Sequence, residues 1–236
     1  MHDKQLLIDE QLMEKYLKET YYFDYSNPEI KAFADKIIPE NDLDDVEIAV
    51  RLYYAVRDGT KYNPYLFSLD PKTLTASYCV QSTQSYCIPK SVLLVTLARY
   101  KGIPARLGLA DVRNHISSQK LTRYLKNDVF VMHGYAELYL NGRWVKATPV
   151  FDARLCKKIA VEALQFDGHN NALFQQYNLK GERAMEYVND HGCFEDMPID
   201  FIIDSVQKAY PHLFTKEGIV KFNEFQNHSL DEDLDL

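Results

Sequence analysis

Asn141-Gly142 stands between two runs of alternating residues, VFVMHGYAELYL before it and RWVKA after it. Asn-Gly suits a two-residue turn in which both central residues take positive φ, and the alternation on either side marks two antiparallel strands. This pairing sets a register: Leu140 opposes Arg143, Tyr139 opposes Trp144 and Glu137 opposes Lys146. The same register sets Tyr135 against Thr148 and His133 against Val150. Side chains alternate across a strand. One face therefore holds Met132, Gly134, Ala136, Leu138 and Leu140 with Val145 and Ala147, which reads as a core face. The other holds His133, Tyr135, Glu137 and Tyr139 with Trp144, Lys146 and Thr148.

Helices precede this hairpin. Residues 4 to 19 read as a charged amphipathic helix. Asn27-Pro28 is a cap followed by a proline in the first turn, opening a helix that runs to Ile37 and is ended by Pro39. Asp42 to Asp45 opens another, with Val46, Ala49, Val50, Tyr53, Tyr54 and Val56 as its apolar stripe and an end at Asp58-Gly59. Residues 60 to 80 are irregular, marked by Asn63-Pro64 and Asp70-Pro71, where core tyrosines or a cleft lined by Tyr62 and Tyr78 are both readings. Ala105 to Leu109 is a short strand. Asp111 to Asp128 is a polar excursion with a helix near Gln119 to Leu125, placed to act as a lid. Later, Arg154 to Leu164 carries Cys156, Ile159 and Val161, and residues 167–171 form a turn-rich loop. Asp200 to Tyr210 is a helix stopped by Pro211, and the acidic tail from Asp231 is expected to be disordered. There is no internal repeat or low-complexity linker, so residues 1–236 are read as one domain of α+β class, with a core over about 50–155.

The chemistry centres on Cys87. Polar residues 81–86 precede it and the apolar run Val92 to Ala98 follows, with Pro89 in the first helical turn and Gly102 and Pro104 just past Lys101. Cys87 therefore opens a helix, where unpaired N–H groups and the helix dipole favour a thiolate, the nucleophilic form of cysteine. A buried structural cysteine is the alternative. His133 stands on the polar face of the hairpin. Thr148 is its diagonal neighbour, and so is Asp152 on the opposite diagonal if the strand continues past Pro149; Asp152 is the better acceptor for the second ring N–H. A solvated strand-end charge is the competing reading of Asp152. His115, in a loop without a sheet partner, is the weaker rival to His133.

The succession of Cys87, an apolar helix, Gly102-Ile103-Pro104-Ala105-Arg106, His133, Tyr139, Gly142-Arg143-Trp144-Val145 and Thr148-Pro149 resembles the bacterial transglutaminase-like superfamily. Val56-Arg57-Asp58 and Lys61-Tyr62 resemble the family's approach to its core. The resemblance covers roughly residues 20 to 155. It implies a papain-like fold, with helices before a central helix that carries the cysteine and a twisted antiparallel sheet that carries the histidine. It also implies acyl transfer by a Cys-His-Asp triad without a cofactor: Cys87 as nucleophile, His133 as base, and Gln81 or Gln84 as an amide near the oxyanion. The sequence departs from the family at Thr148, where the triad aspartate is expected just before a proline, and Asp152 is the nearest replacement. Hydrolysis of a peptide or other amide bond is the expected reaction, on a peptide or protein substrate or another amide. A catalytically silent peptide-binding module of the same fold is the alternative.

Composition narrows the partners. A net charge of −7 over 236 residues argues against nucleic acid as the main ligand. No stretch has the length of a membrane-spanning helix, and the charged start MHDKQLLIDEQL is not a signal peptide, so a cytoplasmic setting without membrane attachment is expected. The cysteines at 79, 87, 156 and 193 include no CxxC pair. Cys156, His169 and Cys193 fit no zinc spacing, so no metal site and no disulfide framework are expected.

Overall fold

The computed structural model describes residues 13–39, 42–228, Leu230 and Asp233. The helix read over residues 4 to 19 therefore lies mostly outside the described residues, and so does the acidic tail apart from Asp233. Two capped helices come first. α1 (Pro28–Ile37) starts at Asn27, whose side chain accepts from the Glu29 N–H. α2 (Asp45–Gly59) starts with a capping box between Asp44 and Glu47 and buries Ala49, Leu52, Tyr53, Val56 and Arg57. Reciprocal caps of this kind satisfy N–H groups that the helix itself cannot.

Residues 60 to 80 are more ordered than their sequence suggests. β1 (Lys61–Tyr62) pairs in parallel with β2 (Gln84–Ser85), and between them lie two short 3₁₀ turns and α3 (Ala76–Gln81). Thr75 caps α3 through its hydroxyl, a signal present in the sequence but short. The central helix α4 (Cys87–Tyr100) buries every residue from Ile88 to Arg99. A helix apolar all round belongs inside a core. Its two buried cations bond backbone carbonyls. Lys90 Nζ donates to Arg57 O at 2.8 Å and Thr60 O at 2.6 Å, closing the end of α2. Arg99 reaches Lys18 O, Ala105 O and Glu195 O. Burial pulls the Lys90 ammonium down to about 8.

The helix packs on a four-stranded antiparallel sheet of order β5-β4-β3-β6, formed by β3 (Ala105–Asn114), β4 (Val129–Leu140), β5 (Arg143–Ala147) and β6 (Met185–Phe194). Asn141 and Gly142 take φ of 50° and 79°, as the turn requires, and Leu140 pairs with Arg143 through to Ala136 with Ala147. The register stops there. Thr148 N donates instead to Ala172 O, so the chain leaves β4 one residue before Pro149, and the pairings expected for Tyr135 and His133 do not form. The face read as polar is also buried. Tyr135 is fully buried, lies over Gly108, and donates its hydroxyl to Asp190 of β6 at 3.0 Å. α5 (Gln119–Leu125), α6 (Ala153–Lys158), α7 (Ile199–Ala209) and α8 (Lys216–Phe225) complete the described elements. This is an α+β arrangement, with helices on one side of a seam and an antiparallel sheet on the other. Among the described residues, no helix is long and apolar enough to cross a membrane.

Candidate active site

The seam runs between the start of α4 and the middle of β4. Tyr86 precedes α4 and supplies no side-chain cap, so the first turn keeps its N–H groups free of a competing oxygen. The backbone N–H groups of Gly134, Ile88 and Cys87 itself favour the thiolate form of the sulfur. Gly134 is where the two elements come closest. A Cβ built there would stand 2.9 Å from Ile88 Cα and 3.2 Å from Cys87 O, so only glycine fits.

His133, next along β4, is aimed by an irregularity. Ala110 pairs with His133 and Val112 with Phe130, leaving Val131 and Met132 both opposite Asp111. Met132 takes φ of 60°, a strained conformation for a side chain of this size, and its N–H is held by Asp111 Oδ1 at 3.1 Å. Such bulges bend a strand and redirect the residue beside them. Val129 to Met132 is a continuous apolar run that carries no register signal of its own, so the bulge was not legible.

Cys87 and His133 line one cavity of about 90 Å³. Its other walls are almost wholly apolar: Tyr62 and Phe151 on one side, Leu121 and Tyr124 of α5 on another, and Phe222 and Phe225 of α8 across the top. Enclosure governs the charge state of the pair. Burial pushes the Cys87 thiol up to about 11, against the backbone N–H groups that favour the thiolate. Burial pulls the His133 imidazole down to about 4. Around neutral pH the closed site therefore holds a thiol and a neutral ring, not the thiolate that a helix start alone would favour.

His133, 7% exposed, also lines a second, much smaller cavity of about 10 Å³ with Thr148 and Gln175. His133 Nε2 and Thr148 Oγ1 are both buried without a hydrogen-bond partner. Gln175, also buried, donates to Cys156 Sγ at 3.7 Å. Nothing in the sequence marked Gln175, since it sits in a loop with no motif around it.

Asp152, expected beside His133, has its contacts elsewhere in this structure. Its Oδ1 accepts from Leu155 N at 2.9 Å, capping α6, and its Oδ2 accepts from Tyr62 N at 3.0 Å. The carboxylate makes no hydrogen bond to His133, whose Nε2 has no partner. The register argument failed because the strand turns away before Pro149. Gln81 and Gln84 do not line the Cys87 cavity either. They border an open polar cleft of about 830 Å³ on the other side of Tyr86, where Gln84 Oε1 accepts from Asn63 Nδ2 at 2.8 Å. His115 lies at the surface, paired with Glu186 at 3.2 Å. Among the described residues no three metal-binding side chains converge.

Comparison with known proteins bears on the fold. One crystal structure, of a candidate cysteine protease from Cytophaga hutchinsonii, is similar at 15% identity and a TM-score of 0.43 over 57% of this chain, which spans 40% of the length of that one. No curated protein matches the sequence. The profile of the transglutaminase-like superfamily matches residues 31–149, from the first helix through the hairpin, and takes in both Cys87 and His133. A helix-borne cysteine and a strand-borne histidine facing one cavity, within a profile that spans half the chain, make this protein a member of the transglutaminase-like superfamily.

Proposed function

We propose that the protein is a cysteine enzyme that cleaves a peptide or other amide bond by acyl transfer. The observation that carries this reading is the shared cavity of Cys87 and His133, with the sulfur at an uncapped helix start. In the reaction, Cys87 Sγ bonds to the carbonyl carbon and its proton passes to His133. The oxyanion lies against the N–H groups of the first turn of α4, which supply the preorganised donors this step needs. His133 then protonates the leaving amine as the C–N bond breaks, and water releases the acyl group. Thr148 and Gln175 are the polar side chains that share the small cavity with His133, and a turn of either toward the ring would supply the orientation that a carboxylate gives elsewhere.

Alkylation by iodoacetamide tests the nucleophile, and a screen of amide and peptide substrates against wild type and Cys87→Ala tests the reaction. The reading requires His133→Gln to slow both by about 10²-fold or more. Unchanged rates would sink it. A second reading is favoured by the orphaned His133 Nε2: a silent peptide-binding module, in which the site keeps its shape without an oriented base. That module would bind peptides equally well with and without the Cys87 sulfur and turn none over.

A further inference from the structure

Part of the wall of the cavity that holds the thiol comes from residues beyond the superfamily match. Val206, Tyr210, Leu213, Phe222 and Phe225 all lie after residue 149, and all face the cavity that holds Cys87. The extension is built to stay there. Phe225 stacks on Tyr124 at 3.9 Å and meets the Tyr65 ring edge-on at 4.6 Å. Gln226 donates to Phe67 O at 3.0 Å, and Lys120 bonds His228 at 2.8 Å and Asp233 at 3.2 Å. Helix α8 is thus fastened both to the loop before Cys87 and to helix α5.

We propose that this extension forms an acyl pocket that takes a short, branched, uncharged aliphatic group, with Phe222 and Phe225 setting its length. The proposal rests on the reading of Cys87 as an acyl-accepting nucleophile. Two observations select the chemistry. No Lys, Arg, Asp or Glu lines the cavity, so a charged group would enter without a partner. At about 90 Å³ the space is smaller than the roughly 150 Å³ that accepts a benzene ring. A branched chain of about four carbons beyond the carbonyl fits, while an aromatic ring or a long straight chain meets the α8 phenylalanines.

The test uses the full chain and p-nitrophenyl esters of acetic, isovaleric, phenylacetic and octanoic acids. Sγ bonds to the acyl carbon, the bond to p-nitrophenolate breaks, and the thiol proton passes to His133. Water then cleaves the thioester and the sulfur regains a proton. Acylation is read by the nitrophenolate burst and by the mass of the adduct on Cys87. Isovaleryl transfer should outrun acetyl and octanoyl by about tenfold or more, since a methylene in a fitted pocket discriminates by at least that much. Phe225→Ala should raise octanoyl transfer about tenfold relative to isovaleryl transfer. Phe222→Ala serves the same purpose if Phe225→Ala fails to fold by circular dichroism. Equal rates across the acids, unchanged in both variants, overturn the pocket while the nucleophile stands. A separate arm measures thermal stabilisation of Cys87→Ala by isovaleramide, acetamide and octanamide. Selective stabilisation by isovaleramide supports the pocket even if no ester acylates the wild type, in which case only the nucleophile reading fails.

Discussion

Two helix starts flank Tyr62, and the sequence treats them in opposite ways. At α6 the Asp152 carboxylate occupies the N-terminus, accepts from Leu155 N, and spends its second oxygen on Tyr62 N. At α4 the capping position holds Tyr86, whose hydroxyl is turned away to Ser68 O at 2.9 Å. The first N–H groups of α4 are left to the Cys87 sulfur. The capped start gains stability, and the uncapped one forgoes about 1 kcal/mol of it to keep donors at the place where a substrate oxygen would develop charge. An acid near the Cys87–His133 pair is therefore not tied to it merely by proximity. What matters is where its bonds already go.

The sharpest way to break this contrast is at the uncapped start. Cys87→Ser should leave the unfolding midpoint within a few degrees and lower amide turnover by about 10⁴-fold, as loss of a nucleophile does in comparable sites. Turnover within tenfold of wild type would mean that Cys87 is not the nucleophile.

The next effect is one of pH. Folded His133 titrates near 4, against about 6.5 in the unfolded chain. The unfolded state therefore binds the proton first as pH falls. The contribution is whole above about 6.5 and lost as pH drops toward 4, amounting to about 3 kcal/mol. Urea unfolding at pH 7.5 and 4.5 should show the loss, and His133→Gln should remove most of the difference. A slope unaltered by that substitution would show that His133 is not held neutral by burial.

At the capped start, Asp152→Ala should cost about 2–3 kcal/mol, a lost cap plus an N–H on Tyr62 left without its acceptor. Alkylation of Cys87 should stay within about threefold at a temperature where the variant is folded. Asp152→Asn should cost less, because an amide oxygen also caps. A collapse in turnover with normal stability would restore Asp152 to the catalytic group. The smallest change is at Thr148. Thr148→Val removes a buried hydroxyl without a partner, so stability should move by under about 1 kcal/mol in either direction. Turnover should fall about tenfold if that hydroxyl helps hold the ring, and an unaltered rate would leave Gln175 as the orienting candidate.

Much of this architecture was legible where local signals and burial agree. The Asn27 and Asp44 caps, the apolar run after Cys87 and the Asn141-Gly142 turn each constrain the backbone within a few residues, and α5 lies at Gln119–Leu125 as read. The misses share a cause. β6, with the sequence MEYVNDHGCF, carries no apolar alternation, because it is a sheet edge whose middle residues are exposed. α8 is a short helix with Gly218 inside it, and only its docking over α5 gives it a role. Cys87 and His133 could be singled out because their own elements are strongly marked. Gln175 and the α8 phenylalanines could not, since they reach the site through tertiary packing that no short-range pattern encodes.

The close approach at Gly134 turns the thiol into a gauge. Backbone atoms of α4 and β4 nearly touch there, while Cys87 itself keeps partial exposure. A reagent small enough to use the existing opening labels the sulfur without waiting for the seam, and a bulkier one labels it only in the fraction of molecules in which the seam has parted. The ratio of the two rates measures how often the halves separate. A substrate that needs the wider route is held to that same fraction.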